Sequence, residues 1–337
     1  MQMRLSIFTF ICLIISTNLS ATKLVTYNYR GEDRLGAWMD GEVIDLNRAY
    51  ELFLKDNGKP RAQARADAFV PPHMVEFLSG EKDSLQAAME AFQFIKELIL
   101  QGERAILIRD GILFPESEFR LRAPVPEPPN LLAIGGNYRA HILEGDGKIP
   151  EYPTVFSKHG LIIGTQEPIL IPEAVKEPDY EAELAFVIGR RARRVKKKEA
   201  LDYVAGYMVF NDVSARVFQD RVSQWTLGKS ADTFSVMGPF LVLKDEIPDP
   251  QKLKIIAKIG EKVVQNSNTE DMIFSVADIV AYISQIMTLE PGTVIATGTP
   301  SGVGAARKRF LLPNDVVTVE IEDLGTLVNT VIKETYQ

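Results

Sequence analysis

The sequence predicts a β-rich α+β protein in which a small N-terminal α+β domain precedes a larger domain. After residue 154 the extended apolar runs outnumber the helical stripes and do not follow a regular βαβ order. Four prolines in residues 123–130 stiffen the backbone there and predict a linker. A chain of 337 residues is also long enough for two cores of unequal size.

Residues 1–21 have the layout of a secretory signal peptide. A positive charge at Arg4 precedes the mostly apolar run Leu5–Ser16, and small or polar residues follow as far as Ala21. The run is too short to span a membrane comfortably. We therefore expect an exported protein, periplasmic or secreted. An uncleaved anchor, or a misplaced start codon ahead of a cytoplasmic enzyme, is the alternative.

Residues 22–122 read as the accessory domain and offer no catalytic motif. The Asp40-Gly41 pair lies between two extended runs, which predicts a hairpin turn. An apolar stripe at helical spacing predicts a helix over residues 84–101. The run Ile106-Leu107-Ile108, followed by the turn signal Asp110-Gly111, predicts a further hairpin.

The larger domain, residues 131–337, contains an acidic pair at the head of an apolar strand. Glu181 and Glu183 precede the run 184–189, and residues two apart on a strand share a face at about 6.6 Å. Repulsion between two such carboxylates is relieved by a proton or by a cation. Asp212 follows another apolar run and offers a third oxygen ligand for a hard cation such as Mg²⁺, Mn²⁺ or Ca²⁺. The alternative is a solvated strand end that carries surface acids.

His141 and Glu144 form a second candidate pair, in residues 135–144. If this segment is helical, residues three apart are neighbours on one face. A carboxylate that orients an imidazole makes it a general base for water. The alternative is an incidental pair on a surface helix.

Two further segments each allow two interpretations. The run 190–198 holds seven basic residues in nine, which suits either a polyanion site or a solvated turn. The glycine-rich run 297–304 lacks the Gly-Lys-Ser/Thr of a phosphate loop; it is either a tight turn or a holder of a carboxylate. The formal net charge of −7 argues against a nucleic-acid partner.

Taken together and in this order, eight segments between about residues 131 and 332 resemble the fumarylacetoacetate hydrolase family. The matching segments are Gly136-Asn137-Tyr138 with His141 and Glu144, Phe156-Ser157-Lys158, Asp179 to Leu184, Asn211 to Arg216, Gln224-Trp225 to Ser230, Asp232-Thr233-Phe234, Gln265 to Thr269, and Thr297 to Gly304.

The resemblance implies a catalytic domain built as a mixed β-sandwich or roll, and a homodimer. It implies that Glu181, Glu183 and Asp212 bind Mg²⁺, Mn²⁺ or Ca²⁺, that His141 and Glu144 activate water, and that Lys229 stabilises negative charge on the substrate. The expected substrate contacts, in or next to the matched segments, are Tyr138, Lys158, Arg216, Gln219 and Thr299.

The function expected from the resemblance is divalent-metal-dependent hydrolysis of a carbon–carbon bond in a small 2-oxo or 1,3-diketo acid, fumarylacetoacetate-like or acylpyruvate-like. The same fold also supports isomerases and decarboxylases of 2-oxo-acid enols, of the 2-hydroxyhepta-2,4-diene-1,7-dioate isomerase or oxaloacetate decarboxylase type. A binding protein without catalysis is the third alternative.

Overall fold

A computed structural model describes residues 22–335 of the chain. The strands are β1 Lys23–Tyr29, β2 Glu32–Met39, β3 Glu42–Asp45, β4 Leu113–Pro115, β5 Arg120–Leu121, β6 Leu131–Gly135, β7 Thr154–Ser157, β8 Ile162–Ile163, β9 Ile169–Ile171, β10 Pro178–Asp179, β11 Ala182–Ile188, β12 Val204–Asp212, β13 Ser214–Ala215, β14 Ser235–Leu243, β15 Lys254–Ile259, β16 Lys262–Asn268, β17 Val294–Ala296, β18 Val316–Ile321 and β19 Gly325–Lys333.

The helices surround and connect these strands. They are α1 Leu46–Asp56, α2 Ala62–Phe69, α3 Met74–Ser79, α4 Glu81–Leu100, α5 Arg104–Arg109, α6 Arg139–Glu144, α7 Arg216–Gln219, α8 Thr226–Lys229, α9 Val276–Ser284 and α10 Gly304–Arg307. Within residues 22–335, we find no helix with the length and apolarity needed to cross a lipid bilayer.

One large mixed sheet runs through the molecule in the order β4-β3-β2-β1-β14-β12-β11-β17-β6-β7. A smaller sheet has the order β16-β15-β18-β19-β9, and β10 pairs with β13. Strand β1 joins β14 in antiparallel register, with Lys23 opposite Val242. The predicted linker 123–130 therefore divides the chain in sequence, whereas the main sheet includes strands from both sides of it. The β-rich α+β class is confirmed.

Strand β11 lies inside the main sheet and is buried along its whole length. Its side chains alternate between two apolar cores, as the two-residue period of a strand requires. Leu184 and Phe186 pack in the core shared with the smaller sheet, whereas Ala185 and Val187 pack in the core shared with the N-terminal helices. Burial on both faces explains why the run after Glu183 is almost continuously apolar.

Two N-terminal predictions match the structure and one is wrong. Asp40 and Gly41 both have positive φ angles and join β2 to β3, and helix α4 covers the predicted apolar stripe. Residues 106–108, predicted as a strand, belong instead to helix α5. A run of three apolar residues is too short to show a period. In the structure Leu107 is buried and Ile108 packs against the same core, while Ile106 is exposed.

The basic run 190–198 forms a turn after β11, and several of its cations have surface partners. Arg191 Nε lies 3.0 Å from Glu290, and Lys197 Nζ lies 2.7 Å from Asp278. Because these pairs are exposed and intramolecular, the contacts favour the solvated-turn interpretation over a polyanion site.

Asp45 connects the first strands to helix α1. Its carboxylate is fully buried, accepts hydrogen bonds from Tyr27 Oη at 2.7 Å and Arg34 Nε at 2.6 Å, and caps the helix by accepting from the Arg48 amide at 2.9 Å. Burial and the Asp45 charge together raise the pKa of Tyr27. This single carboxylate therefore satisfies three donors on three elements.

We expect Asp45→Ala to lower the free energy of unfolding by about 3 kcal/mol, because it leaves a partly buried cation and a buried phenol without their acceptor. Urea denaturation followed by circular dichroism measures the change. Asp110→Ala is the matched control, since that carboxylate pairs with Arg109 on the surface. Equal denaturation midpoints for the two variants would contradict the structural role of Asp45.

Candidate metal centre and active site

Three carboxylates converge where β11 and β12 pair. Glu181 lies just before β11, Glu183 lies within β11, and Asp212 ends β12. The amide of Asp212 donates to the carbonyl of Glu181 at 2.9 Å, which fixes this register. One oxygen of each carboxylate lies within 4.8 Å of the others, and all three side chains are buried. The spacing of the two glutamates predicts only their shared face, whereas strand pairing brings Asp212 to them.

Two lysines face this acidic cluster. Lys229 Nζ lies 2.7 Å from Glu181 Oε2 and 2.9 Å from Asp212 Oδ2. Lys158 Nζ contacts Asp212 Oδ1 and donates to the carbonyl of Lys229 at 2.5 Å. Burial of three carboxylates at one point is tolerated because opposite charges lie in direct contact with them.

Arg216 supplies the third cation and connects the cluster to Asp179. Its Nη2 atom lies 2.6 Å from Glu181 Oε1 and 2.7 Å from Asp179 Oδ2, and its Nη1 donates to Gln219 Oε1 at 2.9 Å. Asp179 is fully buried. Sequence reasoning gave Asp179 no role, although the two-residue spacing 179, 181, 183 was the available signal.

The pKa values of the two glutamates are shifted in opposite directions by their surroundings. Burial alone would raise the pKa of Glu181, but Lys229 and Arg216 outweigh it and lower the pKa to about 2. Burial, together with the charges of Asp212 and Glu181, raises the pKa of Glu183 well above its usual range. Glu183 is therefore the carboxylate that takes a proton most readily.

These residues fit a divalent cation. All three ligands in the cluster are carboxylate oxygens, the donor type that Mg²⁺, Mn²⁺ and Ca²⁺ prefer. A cation between them would also remove the repulsion that raises the pKa of Glu183. The cluster can thus hold a hard divalent ion, and its donor chemistry does not distinguish among the three.

A small cavity of about 60 Å³ opens onto the cluster. Its walls include two ligand carboxylates, two cations, the predicted base, polar side chains and aromatic rings: Glu181, Glu183, Arg216, Lys229, His141, Gln219, Thr299, Phe156 and Trp225. The Trp225 ring packs against Phe156 with centroids 5.4 Å apart and lies over Gly135, where a Cβ atom would come within 2.3 Å of it. Sequence reasoning gave Trp225 no role in the site.

Two expected substrate contacts do not line this cavity. Tyr138 is fully buried, and its hydroxyl has no hydrogen-bond partner within residues 22–335. Lys158 is buried beside Asp212. The sequence places these residues in the right segments but does not say which way their side chains point. Arg216, Gln219 and Thr299 do line the cavity.

His141 and Glu144 lie on helix α6 as the spacing predicts. His141 Nδ1 is 3.6 Å from Glu144 Oε2, which is an electrostatic contact and too long for a hydrogen bond. Both side chains are partly exposed, and His141 lines the cavity. The Glu144 carboxylate is held from the other side, because both of its oxygens lie 3.0 Å from the amide nitrogen of Gly302.

The glycine-rich run 297–304, with Ala305, binds carboxylates of this chain through its backbone amides. Besides Gly302, the amide of Gly298 donates to Glu183 Oε2 at 2.8 Å. The Asp179 carboxylate accepts from the amide of Gly304 at 2.6 Å and from that of Ala305 at 2.9 Å. The run is therefore more than a tight turn. It binds the metal-ligand candidate Glu183, the His141 partner Glu144, and Asp179, which pairs with Arg216.

Comparison with known proteins agrees with this architecture. Residues 130–332 match the model of the fumarylacetoacetate (FAA) hydrolase C-terminal family. The chain belongs to the fumarylacetoacetate hydrolase family. It is an enzyme of that superfamily, and the resemblance expected from its motifs is confirmed.

Named relatives of this fumarylacetoacetate hydrolase family chain cover more than one activity. It is 42% identical to the "Oxaloacetate tautomerase fahd2, mitochondrial" of Xenopus laevis, over 87% of this chain and 83% of that protein. It superposes on the fumarylacetoacetate hydrolase of Exiguobacterium antarcticum with a TM-score of 0.69 and 29% identity, covering 93% of this chain and 100% of that one. It superposes on the 2-hydroxyhepta-2,4-diene-1,7-dioate isomerase of Mycobacterium marinum with a TM-score of 0.66 and 26% identity, covering 94% of this chain and 100% of that one.

The expected export of the protein is wrong. The Xenopus laevis relative carries a mitochondrial designation, which is not that of a periplasmic or secreted protein. Residues 1–21, on which the signal-peptide prediction depended, lie outside the described residues. A basic residue before an apolar run is a general pattern, so it was weak support for export.

We expect Glu183→Gln to weaken Mn²⁺ binding about a hundredfold or more, because it removes a ligand charge from the cluster. Isothermal titration calorimetry measures the Kd. Glu144→Gln is the matched control and should bind Mn²⁺ like the wild type, since Glu144 lies outside the cluster. Binding of Mn²⁺ by Glu183→Gln with the wild-type Kd would contradict the assignment.

The raised pKa of Glu183 also predicts the sign of the pH dependence. A proton on this carboxyl competes with the cation, so the Kd for Mn²⁺ should rise as the pH falls through that raised pKa. Titrations in buffers of different ionisation enthalpy should show net proton release on binding. Net proton uptake would contradict this prediction.

Proposed function

We propose that this protein catalyses the divalent-metal-dependent keto–enol tautomerisation of a short 2-oxo dicarboxylic acid of the oxaloacetate class. The observation that supports it most is that Glu181 and Glu183 of the acidic cluster line one small cavity together with His141 and Lys229. This proposal replaces hydrolysis, the first expectation from sequence, with the isomerase alternative. The printed names of the Xenopus laevis tautomerase and the Mycobacterium marinum isomerase favour the same choice.

The charges on the cavity wall suit an anionic substrate. Arg216 and Lys229 lie on the wall with the amide of Gln219 and the hydroxyl of Thr299, and these groups can donate hydrogen bonds to carboxylate oxygens. A cavity of about 60 Å³ favours a compact acid over a long acyl chain. We infer that these four side chains bind and orient the substrate.

Tautomerisation moves one proton between C3 and the oxygen on C2, and it consumes no water. A divalent cation held by Glu181, Glu183 and Asp212 would polarise the 2-oxo group and so acidify the C3 hydrogen. His141 takes that proton, and Glu144 stabilises the imidazolium that results. Lys229 stabilises the charge that develops on the C2 oxygen. Return of the proton to that oxygen completes the enol and restores neutral His141.

Hydrolysis of a carbon–carbon bond is the second candidate. The observation in its favour is the partly exposed His141–Glu144 pair, which water can reach and which could activate it for attack on a carbonyl. The structural similarity to the fumarylacetoacetate hydrolase of Exiguobacterium antarcticum agrees with this alternative. Decarboxylation of the same acid needs the polarised carbonyl but no base. The homodimer expected from the resemblance stays a prediction.

We expect the purified protein to speed the decay of enol-oxaloacetate ultraviolet absorbance, to lose this activity in EDTA, and to regain it with Mg²⁺ or Mn²⁺. His141→Ala should lower the rate about a hundredfold or more while Mn²⁺ still binds. His73→Ala is the matched control, because His73 lies before α3 and away from the cavity.

Product analysis separates the candidate reactions. Metal-dependent formation of pyruvate and acetate from acetylpyruvate, with no faster decay of enol-oxaloacetate, would replace tautomerisation with hydrolysis. Release of pyruvate from oxaloacetate, at a rate matching the absorbance change, would replace it with decarboxylation. The same activity in EDTA as in Mg²⁺ would contradict the metal-dependent proposal.

A further inference from the structure

We propose that Tyr180 is a positioning residue that acts on the His141–Glu144 pair through the backbone of Gly302. This inference rests on the proposed function, because it assigns Glu144 the task of stabilising His141 when His141 holds a proton. Tyr180 lies next to the ligand candidate Glu181 in sequence, but its hydroxyl reaches a different part of the site. Tyr180 and Glu144 both form hydrogen bonds to Gly302.

The backbone of Gly302 is held on both sides of its Cα atom. Its amide nitrogen lies 3.0 Å from both carboxylate oxygens of Glu144. Its carbonyl oxygen accepts from Tyr180 Oη at 3.0 Å and from Arg307 Nε at 3.1 Å. The amide and the carbonyl belong to two successive peptide units, so Tyr180 and Arg307 act on the position of Gly302. By holding its carbonyl, they help to place the amide that binds Glu144.

Position 302 accepts only glycine. Its φ angle is +102°, a region that side chains rarely allow, and a Cβ atom there would lie 2.2 Å from the carbonyl oxygen of Val264. Because glycine has no side chain to restrict its backbone, the position of Gly302 depends on its hydrogen-bond partners. Tyr180 is itself fully buried, so its hydroxyl is presented from a rigid position.

The position of Gly302 affects the distance between Glu144 and His141. At 3.6 Å the carboxylate is close enough to stabilise an imidazolium by charge, yet it makes no direct hydrogen bond that would hold it there. The Gly302 amide supplies the missing restraint. Loss of the Tyr180 hydroxyl should let Glu144 move and should slow the step in which His141 holds the proton. Substrate and metal contacts should stay unchanged.

A double-mutant cycle tests the inference. Tyr180→Phe is expected to lower kcat of enol-oxaloacetate tautomerisation about fivefold, with KM and the Kd for Mn²⁺ close to wild type. In a Glu144→Gln background the same change should cost nothing further, because residues that act through one another are not additive. Arg307→Met, which removes the second donor, should behave like Tyr180→Phe.

Tyr207→Phe is the matched control. Tyr207 is also nearly fully buried, but it lies in the middle of β12 and does not line the cavity. Its kcat should equal that of the wild type. A full fivefold loss for Tyr180→Phe in the Glu144→Gln background would overturn the inference, and so would a large loss of Mn²⁺ affinity, which would indicate an effect through Glu181.

An NMR measurement keeps the inference independent of the assigned reaction. The chain has three histidines, so imidazole resonances can be assigned with single His→Ala variants. Tyr180→Phe should shift the ring resonances of His141 and leave those of His73 and His159 in place. An unchanged His141 spectrum would overturn the positioning role. Absence of tautomerase activity in the wild type, with the His141 shift present, would instead reject the proposed function alone.

Discussion

The site depends on keeping three carboxylates in one buried place. Like charges a few ångströms apart repel strongly where water is excluded, and the repulsion is tolerated only with opposite charges in contact. Lys229 touches two of the acids, Lys158 touches Asp212, and Arg216 touches Glu181. This balance of charge prepares the cluster for a divalent ion, because the carboxylates are already gathered and desolvated.

Backbone amides provide the second source of order. The glycine-rich run and the residue after it donate hydrogen bonds to Glu183, Glu144 and Asp179. One loop therefore holds a candidate metal ligand, the carboxylate beside His141 and the carboxylate that pairs with Arg216. Amides offer positive ends without adding net charge, which suits a site already dense in ions. The glycine at 302 is required by its φ angle and by the nearby carbonyl of Val264. The candidate metal ligand Glu183 and the His141–Glu144 pair therefore share one structural support.

The sequence predicts the parts of this site that depend on local spacing. The two-residue spacing of Glu181 and Glu183 on an apolar strand predicts that they share a face. The three-residue spacing of His141 and Glu144 on a helix predicts that they are neighbours. Asp212 is a possible third ligand from its place after an apolar run, and the family resemblance supports it. Its convergence on the two glutamates depends on strand register, which one sequence does not reveal. Local pattern also does not give side-chain direction: Lys158, expected as a substrate contact, has its ammonium group against Asp212 and does not line the cavity. The strand expected at 106–108 failed because three apolar residues carry no period.

The pairing of β1 with β14 gives the N-terminal region a protective role that its lack of catalytic motifs conceals. Without residues 22–122, the edge of β14 near Leu241 would lose its hydrogen-bonded neighbour, and the apolar side chains of the main sheet would lose their helical cover. A bare strand edge beside an uncovered apolar face invites pairing between molecules. A fragment trimmed to the family-matching region would keep every metal ligand and still be prone to aggregate.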